Sequence, residues 1–289
     1  MLKKLTKKQQ KIKKQKGGNM CSPAINTNSA GSSYNYSCFT LKDLKEMAKQ
    51  VNNKYNQKIP YNFYTAKDKQ KLIREIHIAL QCGKMSLDMC VLKNYSIDFR
   101  KIIKKTHKPK SPKGKEEWLS SIDIYDVMEQ YMQKYSDFIF FGPVPIDWND
   151  FSNALARMNL KKLIKNKKKI GIIFNTDPSY KSGEHWISMF IDLTNKTICF
   201  FDSVGDEPPK EVNQFMKKII KQAKQIGIKL KPIINTKQHQ RGNNECGVYS
   251  LYFIASRLEG KDCNYLNNKI VRDNEMNKYR QKFFRPNLD

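Results

Sequence analysis

Apolar positions recur at helical spacing twice between residues 40 and 82. Thr40 with Asp43 three residues on forms a capping-box pattern, and Leu41, Leu44 and Met47 repeat behind it as one face of a helix. A second helix is predicted over 66–82, where Leu72, Ile73, Ile76, Ala79 and Leu80 line one side. Together they predict a small N-terminal helical domain over 38–103. The run KKTHKPKSPKGK (104–115) has two prolines and no apolar residue, and reads as an exposed linker.

From residue 116 to 289 the pattern is richer. Residues 119–134 read as a helix, 138–146 as extended, 151–165 as a region with a short helix, and Ile170 to Phe174 as a short strand. His185 to Leu193 and Thr197 to Asp202 are strand-like runs around a Thr194-Asn195-Lys196 turn, which predicts an antiparallel hairpin. Pro208-Pro209 open an amphipathic helix with Val212, Phe215, Met216, Ile219 and Ile220 on its face, stopped at Gly227. Ile228 to Ile234 alternates as a strand should, and Cys246 to Leu258 is an apolar helix. Strands followed by separate helices predict an α+β domain, with no internal repeat.

Charge changes this picture by its placement. The chain carries 54 Lys+Arg against 27 Asp+Glu, a formal charge of +27. Four acid-free stretches, 1–16, 100–115, 161–169 and 217–231, hold 28 of those basic residues. The remainder is nearly neutral, so the protein is not uniformly basic in the histone manner. Residues 1–37 lack any acid and read as a flexible basic tail. With 39% hydrophobic residues, disorder throughout is excluded. No stretch reaches the roughly 20 apolar residues of a membrane helix, and the lysine-rich start lacks the apolar block of a secretory signal. Seven cysteines, an odd number without CxxC pairs, argue against a disulfide framework and for a reducing compartment. A soluble intracellular protein is the expectation.

Only four histidines can serve as a base. His77 lies within the second helix, as a packed residue, and His107 in the linker, as a solvated charge; His239 sits in a loop. His185 opens a strand after a polar loop, where a side chain is both rigidly held and open to a substrate. Cys246 sits where a polar loop gives way to an apolar helix, so backbone N–H groups and the helix dipole favour an anion there, and Gly247 allows close approach. The other six cysteines read as small hydrophobes. Asp202 ends the strand paired with the one that His185 starts and can orient its imidazole; Asp192, at the turn end of the hairpin, competes for that role. Gln240, six residues before Cys246, can offer its amide to an oxyanion. Taken singly, Asp202 and Gln240 read as solvated loop polars; taken with His185 and Cys246 they form a constellation.

The run HWISMFIDLTNKTICFFDS, followed by HQRGNNECGVYSLYF, resembles the cysteine proteases that process ubiquitin-like modifiers such as SUMO, over roughly residues 118–285. It is most similar to their viral branch, the polyprotein-processing proteases of African swine fever virus and giant DNA viruses. The resemblance implies a papain-like core of the ubiquitin-like-protease type: a central mixed sheet flanked by helices, with the nucleophile at a helix N-terminus. It makes Cys246 the nucleophile, His185 the general base, Asp202 its orienting acid and Gln240 part of the oxyanion hole. Members hold a Gly-Gly backbone between two tryptophans. Trp186 matches the first, and Trp118-Leu119 half of the motif carrying the second, because Ser120-Ser121 replace Asn-Asp; Trp118 read alone is equally a core residue.

The implied activity is hydrolysis after Gly-Gly in viral structural polyproteins during particle maturation, in the virion and the infected host cytoplasm. A slot closed by aromatic rings admits only residues without a Cβ. Gly17-Gly18, the only Gly-Gly pair in the chain, is then a self-cleavage site that releases the basic tail. No cofactor is implied, and four scattered histidines do not build a zinc site. Alternatives are an isopeptidase that deconjugates SUMO or ubiquitin-like modifiers, an acetyltransferase using the same Cys-His-Asp constellation, and a nucleic-acid-binding module. The Lys-dominated strips fit weak, salt-sensitive, sequence-indifferent contacts with nucleic acid at most.

Overall fold

The computed structural model describes residues 20–25, 37–112, 114 and 117–288. Gly17 and Gly18, with most of the basic tail, lie outside them. The chain divides into two compact units, one of residues 1–111 with 284–289, the other of residues 112–283.

The first unit is helical, with α1 (Leu41–Tyr55), α2 (Lys69–Ala79), α3 (Leu87–Asn94) and α4 (Arg100–Thr106). The capping box forms as the sequence predicts, Thr40 and Asp43 each satisfying the other's backbone. Leu44, Met47, Leu72, Ile76 and Leu80 are buried in one core with Cys90, Val91 and Phe99. Three boundaries differ from the sequence reading. Met20, Cys21 and Ser22, placed in the tail, are buried, because this segment pairs with the end of α4: Ser22 N donates to Thr106 O (2.9 Å) and Lys108 N to Met20 O (2.8 Å). The supposed linker therefore starts inside a helix and continues into this pairing. His107, expected as a solvated charge, is 1% exposed; its Nε2 faces the Asp88 carboxylate at 3.0 Å. Finally, the 284–289 segment belongs to this unit, Arg285 exchanging backbone hydrogen bonds with Pro109 and Ser111.

The second unit starts with α5 (Ser121–Lys134) and is built on a mixed six-stranded sheet of β1 (Phe138–Phe140), β2 (Val144–Pro145), β3 (Lys169–Asn175), β4 (Trp186–Asp192), β5 (Thr197–Phe201) and β6 (Lys231–Ile234). The order is β1-β3-β4-β5-β6, with β2 also on β3. β3, β4 and β5 run antiparallel in succession, and β1, β2 and β6 add parallel. Alternation decides which helix covers which face. Ile172, Phe174, Ile187, Met189, Ile198 and Phe200 pack with Val212, Phe215, Met216 and Ile219 of α6 (Lys210–Gln225). On the opposite face Phe201 stacks on Phe253 of α7 (Cys246–Leu258), ring centroids 5.1 Å apart. α8 (Asp273–Phe283) packs against α7. This is the α+β architecture expected, a central mixed sheet between helices.

Six of the seven cysteines are joined, Cys21 to Cys38, Cys82 to Cys90 and Cys199 to Cys263. This corrects the reading of the odd count. The separations of 17, 8 and 64 residues make no local motif, and the odd cysteine is Cys246, which stays free.

Candidate active site

The hairpin register creates the first contact. Ser188 lies opposite Phe201 in the β4–β5 ladder. Continuing that register by one step sets Asp202 opposite Ile187, so His185 is its diagonal neighbour on the same face, within reach of a long side chain. His185 Nε2 lies 2.7 Å from Asp202 Oδ1. Asp202 is buried and also accepts from Val204 N at 3.0 Å, which fixes its carboxylate. Asp192 is settled elsewhere: its oxygens accept from Thr194 N and Asn195 N, both at 2.9 Å, and shape the hairpin turn.

Nε2 is committed to Asp202, so Nδ1 is the ring nitrogen left to serve Cys246, whose influence is felt in the basicity of the imidazole. Burial pushes the His185 imidazole down, but the hydrogen bonds to Asp202 and Cys246 and their negative charge outweigh it and raise it to about 10. That shift favours the imidazolium form of His185 at neutral pH. Cys246 is the first residue of α7, buried there, with Glu245 in the cap position. Gly247 behind it lets Leu119 pack closely, because a Cβ there would meet Leu119 Cβ at 3.0 Å.

Gln240 is buried in the loop before α7. Its Nε2 donates to Gly242 O at 2.8 Å, and since a carbonyl only accepts, the orientation of the amide is defined. Its Oε1 accepts from Ser203 Oγ at 2.7 Å. Ser203 also receives His239 N and Gln240 N on its carbonyl. Adjacent residues thus serve two sides of the site: Asp202 holds the imidazole, and Ser203 holds the Gln240 amide. Sequence reasoning missed Ser203; its position beside Asp202 is the only signal it carries. His239 has a structural place, buried with its Nδ1 accepting from Val271 N at 3.1 Å.

Trp118 and Trp186 line one groove of about 570 Å³, together with Leu119, Pro143, Ser182 and Gly183. Trp186 is buried, its Nε1 donating to Leu119 O at 2.9 Å. Trp118 is 42% exposed and donates to Asn244 Oδ1 at 2.9 Å, which excludes the core reading. Ser120, one of the serines that replace Asn-Asp, is the N-cap of α5, its hydroxyl accepting from Asp123 N.

A second set of residues that sequence reasoning missed braces the loop ahead of Cys246. Asp273 Oδ2 accepts from Arg241 N and Gly242 N, both at 3.0 Å. Asn277 Nδ2 donates to Glu245 Oε1 (3.1 Å) and Arg280 Nη2 to Asn244 O (2.9 Å). All three stand on one face of α8.

A free thiol against an imidazole that a buried carboxylate holds, carried by the start of a buried helix and two neighbouring strands, is the makeup of a cysteine peptidase. The chain belongs to the Ulp1 protease family, whose C-terminal catalytic domain matches residues 128–288. It is 31% identical over 271 residues to a protein of Acanthamoeba polyphaga mimivirus classed as a thiol protease, a match spanning 87% of this chain and 90% of that protein. It is 27% identical over 209 residues to the SUMO-1 cysteine protease of an African swine fever virus isolate, spanning 65% and 76% respectively. The fold also matches the crystal structure of an African swine fever virus protease, with a TM-score of 0.67 at 22% identity, covering 93% of this chain and 96% of that one.

Proposed function

We propose that this peptidase hydrolyses peptide bonds after Gly-Gly. The Cys246 thiolate attacks the glycine carbonyl, and the Gln240 amide with backbone N–H groups receives the oxyanion. The His185 imidazolium, oriented by Asp202, protonates the leaving amine. Water, deprotonated by His185, then releases the acyl group from the thioester. The observation that supports this specificity is the groove whose lining includes both Trp118 and Trp186. Aromatic walls admit glycines and exclude a Cβ. With viral relatives, the substrates this reading favours are structural polyproteins cut during particle maturation, in the virion and infected cytoplasm. Gly17-Gly18 offers the same chemistry in the chain itself.

The test is a set of peptides spanning Gly-Gly-Xaa, in which alanine replaces each glycine in turn. Alanine next to the scissile bond is expected to lower kcat/KM by about 10–200-fold; equal rates would remove the Gly-Gly reading. The likeness to a swine fever virus protein named a SUMO-1 cysteine protease supports a second reading, deconjugation of SUMO. Faster cleavage of SUMO or ubiquitin fusions than of any peptide would favour it, and acetyl-CoA dependence would favour acyl transfer instead. Self-cleavage predicts that the wild type loses residues 1–18 on incubation while Cys246→Ala stays intact, as read by mass spectrometry; an intact Met1 in both contradicts it.

A further inference from the structure

The N-terminal unit holds a buried cluster that peptide hydrolysis does not use. Cys38, Asp88 and His107 each offer a ligating atom, all within 4.8 Å of one another, and the three residues are 1%, 4% and 1% exposed. Cys21 joins them through its bond to Cys38 and its strand-like bridge to His107. Four segments remote in sequence converge here: the paired stretch at residue 21, the approach to α1, the first turn of α3 and the residue after α4.

Two details of the hydrogen bonding point to a cation. Asp88 Oδ1 accepts from Cys38 N at 2.8 Å and faces His107 Nε2 at 3.0 Å, but Oδ2 is buried with no partner. Leaving a carboxylate oxygen dry and unpaired is costly, and a metal ion is a group that satisfies it. The second detail concerns the imidazole. Thr106 Oγ1 donates its one proton to Ile102 O (2.7 Å), so it accepts from His107 Nδ1–H at 2.9 Å. That contact orients the ring and turns Nε2 toward Asp88, as outer partners do for metal-bound histidines.

We propose that Cys21, Cys38, Asp88 and His107 form a tetrahedral zinc(II) site that fills when the Cys21–Cys38 disulfide is reduced. Two sulfurs, one imidazole and one carboxylate suit zinc. A tetrahedron at ordinary zinc–ligand lengths sets ligand atoms roughly 3.3–3.8 Å apart, so Cys38, Asp88 and His107 draw together by up to about 1 Å on binding, and the Cys21 sulfur, released from Cys38, moves in as the fourth ligand. Reduction takes two electrons and two protons from a dithiol or glutathione-class thiol, which is oxidised to its own disulfide. Zinc then displaces both thiol protons to solvent. With zinc(II), two thiolates and a carboxylate leave the site one negative charge. The site couples the N-terminal unit to redox state: a covalent bond between Cys21 and Cys38 when oxidised, a zinc clip through the same sulfurs when reduced.

The experiment uses the full chain, purified in a phosphine reductant and titrated with cobalt(II), then zinc(II). A thiolate-to-cobalt charge-transfer band is expected, abolished by about one equivalent of zinc. Oxidised protein is expected to show neither the band nor retained zinc. Cys38→Ser and His107→Ala are expected to weaken zinc binding by at least about 100-fold, whereas Cys263→Ser, a part-exposed cysteine outside the cluster, leaves it unchanged. The wild-type cobalt spectrum does not depend on whether any variant folds. Reduced wild type without that band overturns the proposal, as does equal zinc retention by Cys38→Ser.

Discussion

Burial alone would hold the His185 imidazole neutral, yet Asp202 and Cys246 raise it to about 10. The proton on the imidazole is the one the leaving amine needs, so the alkaline fall in kcat/KM is expected as pH rises through that region. Asp202→Asn removes a charge that raises the imidazole, so the alkaline limb should move down toward 6.5, the ordinary histidine value. An unmoved limb in a folded Asp202→Asn variant contradicts the assigned partner. Gln240→Ala is expected to cost about 10²–10³ in kcat. Ser203→Ala leaves the amide in place without its anchor, and a loss of about five- to tenfold in kcat at unchanged KM is expected. A change in KM alone would assign Ser203 to binding. His185, Asp202 and Cys246 were legible because each stands at the end of an element whose periodicity marks that end. Ser203 was not, since its partner lies 37 residues on and is brought near by loop pairing.

At the scale of elements, α8 determines how firmly the turn before Cys246 is held. Asp273, Asn277 and Arg280 recur at i, i+4 and i+7, so they project from one side of the helix. Asp273→Ala leaves two loop N–H groups without their acceptor and removes one acceptor of the Tyr249 hydroxyl. The expected cost is about 1–3 kcal/mol in urea denaturation, with a lower kcat/KM. Unchanged stability and rate would mean that the loop holds itself. The spacing on α8 is visible in the sequence, but the loop it braces is not, because that contact is tertiary. The same limit trims other elements. The short helix within 151–165 forms only at Leu160–Leu163. The strand read over Ile228–Ile234 pairs from Lys231, since Ile228 N is taken by Ala223 O in closing α6. Where periodicity coincided with packing on both sides, as in Cys246–Leu258, the predicted and observed bounds agree.

For the molecule as a whole, the charge is gathered further by folding. Leu160 N donates to Gln222 Oε1 at 2.9 Å, which brings the 161–169 strip beside the one on α6. Lys161, Lys162, Lys217 and Lys221 are all exposed there. Changing these four to Glu is expected to abolish weak binding to duplex DNA and flatten its salt dependence by up to about 3.6 log units per log unit of salt. Hydrolysis of an uncharged Gly-Gly peptide should be unaffected. Salt-resistant binding by the wild type would contradict this view of the strips. The strips were legible as runs, but their adjacency needed the fold, as did the cysteine pairing. Among the described residues no helix is long and apolar enough to cross a membrane. The central claim, that Cys246 and His185 carry out peptide hydrolysis, is tested most directly by cleavage of a Gly-Gly-containing peptide by the wild type, Cys246→Ala and His185→Ala. The wild type should cleave and both variants should fall to background; activity that survives both substitutions would contradict the account.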